Sequence, residues 1–508
     1  MTLALVAHAP PTSDRLHLWV GVADVSASPT LAWKRDGNAV DPTRMRPLAP
    51  VLATVADTTV YTGFFEYAGL APDTPYRIEL SSAGERIVRT VRTLPAAVPT
   101  GPQDRFNVLL LSCFHRREDK TGTVGHVLSR LEVKPQLTLY AGDQVYLDLP
   151  TLMDFQDNVA WLGNKFQNDY LNNWFGDRQA RADAAAIPPG YPQVLAISPG
   201  AFMPDDHEFW NNYPFWAAPV QNSWTAAGRD RWRQAAVAAY HGFQQTGADV
   251  FGASRTIEVA PLSILLLDTR SQRTDGSLRQ PNDLLGASWR QALRRWADRL
   301  VQSAGTPSPR FGMLVTGQSL FSPPAGELKG AMTDYELPDY AADYAFMVGE
   351  LERLTRAGLP VILATGDVHW GRVLSAVDPG SPGAPVFEVI SSPTSLVSTV
   401  IMDQAKEVWG AIKGLFGAHD PWPRHSDPDR PPPRFGSSKQ YHATVLKREG
   451  GGDRPAAMRG NQAFMLRFAR SAGGLDVEVT CYPLAMDDAF NAREQWSTAI
   501  RLRPPRGA

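Results

Sequence analysis

Leu137-Thr138-Leu139-Tyr140-Ala141-Gly142-Asp143-Gln144-Val145-Tyr146 is the stretch whose reading decides the fold. Its first five residues form an apolar run of the kind that fills a parallel strand buried on both faces. A turn follows that carries one carboxylate and, three residues later, one phenol. In sheets of this type ligands collect beyond the carboxyl ends of the strands. Asp143 and Tyr146 at such an end form a candidate metal site.

Working outward, residues 106–112 read as another buried strand and 125–131 as a helix, so that with 137–141 they form a β-α-β unit. Residues 201–204 read as a short strand entering Asp205-Asp206-His207-Glu208. A helix is expected over 229–244, where Trp232, Ala236, Ala239, Tyr240 and Phe243 recur at helical spacing. Strands at 256–259 and 262–267 end in Asp268-Thr269-Arg270. A helix at 285–300, a strand at 312–317 and a helix at 342–356 lead to the apolar run 360–365, which opens into Gly366-Asp367-Val368-His369. Residues 386–390, 464–468 and 475–480 read as strands of a second, more antiparallel sheet. Residues 421–438, rich in proline and charge, read as an exposed loop.

The amino-terminal part differs in kind. Short alternating strands are expected at 16–22, 29–33, 60–65, 76–80 and 87–93, with Tyr76 placed to bond back to the turn at Leu70-Ala71-Pro72. This tyrosine-corner pattern resembles fibronectin type III and related sandwiches. Residues 94–102 hold three prolines and a glycine and read as an inter-domain linker. The expected domains are a β-sandwich over 1–97 and a larger α/β domain over 104–505.

Composition narrows the function classes. With 508 residues, 43% hydrophobic and 20% charged, the chain can bury more than one core. A net charge of -2 gives no field that would recruit nucleic acid or an anionic membrane. Cys113 and Cys481 are the two cysteines, too few for a disulfide framework, although a single bridge stays open. No apolar run reaches the length of a transmembrane span. The first ten residues carry no basic leader, so the expectation is a soluble chain, cytoplasmic or already trimmed.

Several strand ends of the larger domain each deliver a potential metal ligand: Cys113, then Asp143 and Tyr146, then Asp206 and His207, then Asp367 and His369. Carboxylates favour hard ions such as calcium, magnesium or manganese, whereas phenolate with thiolate favours ferric iron. Two ions bridged by a carboxylate suit phosphoester hydrolysis.

At these residues the chain resembles the calcineurin-like metallophosphoesterases, and among them the PhoD-like alkaline phosphatases (alkaline phosphatase D). The resemblance rests on Ser112-Cys113, Gly142-Asp143 to Tyr146, Asp205-Asp206-His207-Glu208 with Asn211-Asn212, Asp268-Thr269-Arg270, and Gly366-Asp367-Val368-His369, in that order over nearly the whole chain. It implies a four-layer αββα metallophosphoesterase core behind a fibronectin-like sandwich. Cys113, Asp143, Tyr146 and His369 are implied as ligands of Fe(3+). Asp143 would bridge to a Ca(2+) site completed by Asp367 and by Asp206, Asn211 or Asn212, with Mn or Mg as other ions for that site. The implied activity is hydrolysis of a small-molecule or polymer phosphoester by a hydroxide activated between two metals. His207 is implied as the acid for the leaving group and Arg270 as a phosphate clamp, with a structural ion pair as the other reading of Arg270. Asp205 reads as a loop-capping group rather than a ligand. The segment Asp334 to Tyr340 departs from the family's Trp-Asp-Gly-Tyr pattern.

The rival enzyme is a purple-acid-phosphatase-like phosphomonoesterase, disfavoured by Cys113 and by the Gly-Asp-Val-His ending. A serine hydrolase is disfavoured because no Gly-x-Ser-x-Gly occurs. A third reading is a binding protein with reduced catalysis on the same scaffold.

Overall fold

Alternation of apolar and polar residues builds the first unit, from β1 (Thr2–Ala7), β2 (Arg15–Ala23), β3 (Ala32–Arg35), β4 (Asn38–Ala39), β5 (Thr43–Pro50), β6 (Val60–Ala68), β7 (Pro75–Ser82) and β8 (Glu85–Arg92). The computed structural model describes residues 1–8, 11–52, 60–101, 104–150, 155–177, 187–245, 255–277, 280–281, 283–321, 334–367, 369, 371–377, 383–395, 434–435, 439–440, 442–445, 461–484 and 496–503. The exposed loop expected over 421–438 lies outside them, apart from 434–435.

Two four-stranded sheets, ordered β1-β2-β6-β5 and β4-β3-β7-β8, close on Leu5, Leu18, Val20 and Phe65 from one side and Trp33, Ile78, Leu80 and Ile87 from the other. The Tyr76 hydroxyl accepts a hydrogen bond from the Ala71 N–H at 2.7 Å. The strand β1 goes beyond the sequence expectations. Its residues are buried on both faces, because the outer side of its sheet packs Ala4, Val6, Trp19 and Phe64 against the larger domain. A strand covered on both faces loses the period-two signal.

The larger domain holds two main sheets. The first combines β9 (Phe106–Leu111), β10 (Leu137–Ala141) and β11 (Gly200–Met203), all parallel, and the helices α1 (Thr123–Ser129), α2 (Val159–Trp174), α3 (Tyr191–Leu195) and α4 (Ala226–Phe243) follow between or after these strands. The second begins with β12 (Arg255–Val259) and β13 (Leu262–Leu266). After the short pair β14 (Asp275–Ser277) and β15 (Gln280–Pro281), and helix α5 (Ala287–Ala304), it continues through β16 (Phe311–Val315), the helix Ala341–Arg356, β17 (Val361–Thr365), β18 (Arg372–Val377) and β19 (Val386–Ile390). Strands β13, β16, β17 and β19 are mutually parallel.

Leu110, Leu139 and Met203 of the first sheet face Ile264, Met313, Ile362 and Val389 of the second across one shared apolar layer. Helices α1, α2 and α4 cover the far side of the first sheet, and α5 with Ala341–Arg356 cover the far side of the second. The chain is thus a mixed α/β protein with several sheets.

The expected second antiparallel sheet is corrected. Residues 386–390 form β19 inside the parallel set. Residues 464–468 and 475–480 belong to strands that pair with the first sheet. After the pair β20 (Arg434–Phe435) and β21 (Lys439–Gln440), and β22 (His442–Val445) on the edge of the second sheet, come β23 (Gln462–Ser471), β24 (Gly474–Pro483) and β25 (Trp496–Leu502). Strand β23 lies antiparallel beside β9, with Leu466 opposite Val108. The cause is the free edge of β9, which needs a partner, and the residues Phe464, Leu466 and Phe468, which complete the shared layer. The linker is also more than a spacer. Val98 N–H donates to the Ala260 carbonyl at 2.8 Å and Ala260 N–H to Ala96 at 3.1 Å, while Leu94 and Val98 are fully buried. Both cysteines are buried and neither is in a disulfide.

The shared layer sets a stability test. Leu110→Ala removes a fully buried side chain and is expected to cost about 2–5 kcal/mol in denaturant unfolding. Val377→Ala, at a position 39% exposed, is expected to stay within about 0.5 kcal/mol of the parent.

Candidate metal centre

The site lies where the carboxyl ends of both parallel sets meet. Beyond β9 and β10 the two loops keep pairing: Cys113 N–H donates to the Gly142 carbonyl at 3.2 Å and Phe114 N–H to Asp143 at 2.8 Å. The loop after β19 joins them, with Thr394 N–H on Ser112 and Ser395 N–H on Cys113. Ser112, Asp143, Asp205, Asp206 and Asn212 are all buried.

Two groups of ligand atoms lie within 4.8 Å of one another: Asp143, Asp206 and His207; and Asp143, Asp205, Asp206 and Asp367. A buried cluster of this kind could hold a metal ion. Asp143, Asp206 and Asp367 therefore come together as expected, and Asp205, read from the sequence as a loop cap, joins them. Cys113 sits beside the cluster, its Sγ 3.5 Å from Asp143 Oδ2 and 3.7 Å from the Asp367 carbonyl. His369 stands outside both groups. Its backbone N–H is tied to Ser392 Oγ at 3.2 Å.

The fit to a cation is tested by atoms left over. The Tyr146 hydroxyl, Asp205 Oδ2, Asp206 Oδ1 and Asn212 Oδ1 are buried without a hydrogen-bond partner. Such orphaned oxygens cost free energy, and every one of them lines or adjoins the carboxylate cluster. The Asn212 N–H binds Asp206 Oδ2 at 2.9 Å, inside the cluster, whereas the Asn211 N–H binds Asp148 Oδ2 at 2.8 Å. The oxygen-rich set suits a hard cation, and the thiol and phenol alongside suit a softer neighbour.

The backbone is bent to present these groups. Cys113, Asp143, Asn212, Asp367 and His369 all have positive φ, between 55° and 69°. Non-glycine residues held in this region store strain that clusters at ligand clamps. Gly142 has φ 88° and packs so tightly on Asp205 that an added Cβ would lie 2.5 Å from the Asp205 Cβ.

Two carboxylates that the sequence reading left without a defined role hold the geometry. Glu208 accepts the N–H of Asp143 at 2.9 Å, of Gln144 at 2.6 Å and of Asp205 at 2.9 Å, joining the loops after β10 and β11. Asp148 accepts from the His207 imidazole Nδ1 at 2.8 Å. The signal for Glu208 was its place after Asp205-Asp206-His207, and for Asp148 its place two residues beyond Tyr146. The His207 ring lies 4.2 Å from that of Tyr146.

Arg270 is corrected. Its Nε donates to Asp205 Oδ1 at 2.7 Å, Nη1 to Asp334 Oδ1 at 3.1 Å and to the Tyr213 carbonyl, and Nη2 to Asp334 Oδ2 at 2.7 Å, and the side chain is fully buried. A guanidinium engaged in this way is a structural ion pair and not an open phosphate clamp.

The charges in this pocket act on one another. Burial, with Cys113 and Asp206 nearby, holds Asp143 well above the usual carboxylate range, and burial with Asp205 and Asp206 does the same to Asp367. Burial pushes Asp206 up to about 6 against the pull of His207 and Arg270. Burial also raises the Cys113 thiol to about 12 and Tyr146 well above its ordinary value. For His207 burial opposes the charged form, but Asp148, Asp206 and Asp367 outweigh it and raise the imidazole to about 10.

Neither a scan against protein-family models nor a search of curated proteins returned a match.

Two outcomes follow from this geometry. The protons held by Asp143, Asp206 and Asp367 compete with a cation, so metal affinity in a titration is expected to fall as pH drops through about 6. An affinity flat from pH 5 to pH 8 would count against these ligands. Arg270→Met strands Asp205 and Asp334 and is expected to cost about 3–5 kcal/mol of stability, measured by denaturant unfolding. A fully stable variant that resists inhibition by free phosphate would restore the clamp.

Proposed function

We propose that this chain is a metal-dependent phosphoester hydrolase of the alkaline phosphatase D type, acting on phosphomonoesters or phosphodiesters on a metallophosphoesterase fold. The observation that carries the reading is the convergence of Asp143, Asp205, Asp206 and Asp367 at one buried point, surrounded by orphaned oxygens of Tyr146 and Asn212. Asp143, which like Asp206 belongs to both ligand groups, would be the residue that holds both ions. Asp206, Asp367 and Asn212 would complete a calcium-type oxygen site, and Cys113, Tyr146 and His369 would hold a ferric ion.

Two bound cations would lower the pKa of a water and neutralise charge on the phosphoryl oxygens. The chain's own part is the orientation of the groups around that event. His207, charged and held at Nδ1 by Asp148, keeps Nε2 as a proton donor for the departing oxygen. The tilted Tyr146 ring packs against the imidazole and limits its rotation. Arg270 holds Asp205 in place within the ligand group, so its contribution passes through a carboxylate.

Protein purified without chelator is expected to contain iron, to show a visible phenolate band lost in Tyr146→Phe, and to hydrolyse p-nitrophenyl phosphate when calcium is supplied. Colourless, iron-free protein that stays inactive with added calcium would overturn the reading. His207→Gln is expected to lower kcat about 10²- to 10⁴-fold while metal content is retained. Loss of metal instead would make His207 a ligand.

A further inference from the structure

The sandwich reaches the metal centre by a short chain of hydrogen bonds. A helix ends with carbonyls that have no partner within the helix, and at the C-terminus of α4 the partners come from the other domain. Arg46 on β5 donates from Nη1 to the His241 carbonyl at 2.6 Å and from Nη2 to the Gly242 carbonyl at 3.0 Å. Trp19 on β2 donates its indole N–H to the same Gly242 carbonyl at 2.8 Å. The charge of Arg46 is also favourable beside the negative end of the helix. Gly242 allows the approach, since an added Cβ would lie 3.1 Å from Val51 of the sandwich. Phe243, the next residue, packs against the Trp19 ring at 5.5 Å.

Gln244 follows at once and is fully buried. Its Nε2 donates to Glu208 Oε1 at 3.1 Å and to the Tyr170 hydroxyl at 3.1 Å. Oε1 of Glu208 is the oxygen that receives the Gln144 N–H, and Oε2 receives those of Asp143 and Asp205. An unbroken series of contacts therefore runs from Arg46 and Trp19, through two residues of backbone, to the carboxylate that aligns the ligand loops.

We propose that the β-sandwich is a positioning element of the metal centre, with Arg46 and Trp19 fixing the last turn of α4 and Gln244 transmitting that constraint to Glu208. Groups outside the first ring of ligands set metal affinity by orienting that ring, and here part of that outer layer belongs to a separate domain. The proposal rests on the metal-centre reading for its consequence in affinity, while its mechanical part stands on the backbone amides alone.

The test uses the full-length protein with Gln244→Met, Arg46→Met and, as a control within the sandwich away from α4, Ile78→Val. Hydrogen exchange of the Asp143, Gln144 and Asp205 amides is read by mass spectrometry, and affinity is read by titration with Mn²⁺. In Gln244→Met and Arg46→Met these amides are expected to exchange about tenfold faster, with Mn²⁺ affinity reduced about tenfold. Ile78→Val is expected to leave both at the parent values. Should Arg46→Met unfold the sandwich, Gln244→Met decides, since Gln244 lies outside it. Exchange unchanged in Gln244→Met, or accelerated equally in Ile78→Val, overturns the proposal. If the parent binds no Mn²⁺ while Gln244→Met still accelerates exchange, the metal-centre reading falls and the positioning role stands.

Discussion

Everything at the centre depends on the Glu208 carboxylate. Two loops leave two neighbouring parallel strands, β10 and β11, with backbone N–H groups pointing inward and no strand left to receive them. Glu208 receives three of these and an amide from Gln244. A buried carboxylate is costly unless its lone pairs are filled, and here they are filled by the very groups whose positions matter. Fold and site therefore share one interaction. The loops cannot separate without stranding a buried carboxyl group, and that group cannot leave without releasing the loops.

The electrostatic character of the pocket follows from that arrangement. Four carboxylates within 4.8 Å of one another repel, and burial removes the water that would screen them. Arg270 offsets part of the repulsion from beneath, through Asp205, and His207 offsets part from the side, through Asp206 and Asp148. The same repulsion favours protonation, in line with the upward direction of Asp143, Asp206 and Asp367. A cation in the cluster would displace those protons and satisfy the orphaned oxygens together, which would couple its binding to both pH and stability.

Much of this was legible in the residues. The apolar run before Gly142 announced a buried strand, and the recurrence of Cys113, Asp143, Asp206 and Asp367 after successive strands placed them at one edge. Four features were not legible, each for a physical reason. Strand β1 is covered on both sides and so lost its alternation. Strands β23 and β24 alternate well, but periodicity does not say which sheet edge a strand will join. Asp205 and Arg270 form an ion pair across 65 positions of sequence, and the spacing of motifs carries no record of a contact at that range. The Asp148 partner of His207 was hidden for a similar cause, since an Asp two residues past a turn is ordinary loop composition.

Strand β9 lies between β10, some 26 residues downstream by the ends facing each other in sequence (111 to 137), and β23, which begins at residue 462. During synthesis one flank of β9 is thus paired early and the other waits for more than three hundred further residues. Until β23 arrives, β9 presents an open, largely apolar edge, and the Ser112-Cys113 end lacks the support of Phe464 on Ser391, whose hydroxyl in turn reaches Leu110. A nascent chain is therefore exposed to mispairing over that interval, and the hydrogen bond that Phe464 gives to Ser391 forms only once β23 has been made.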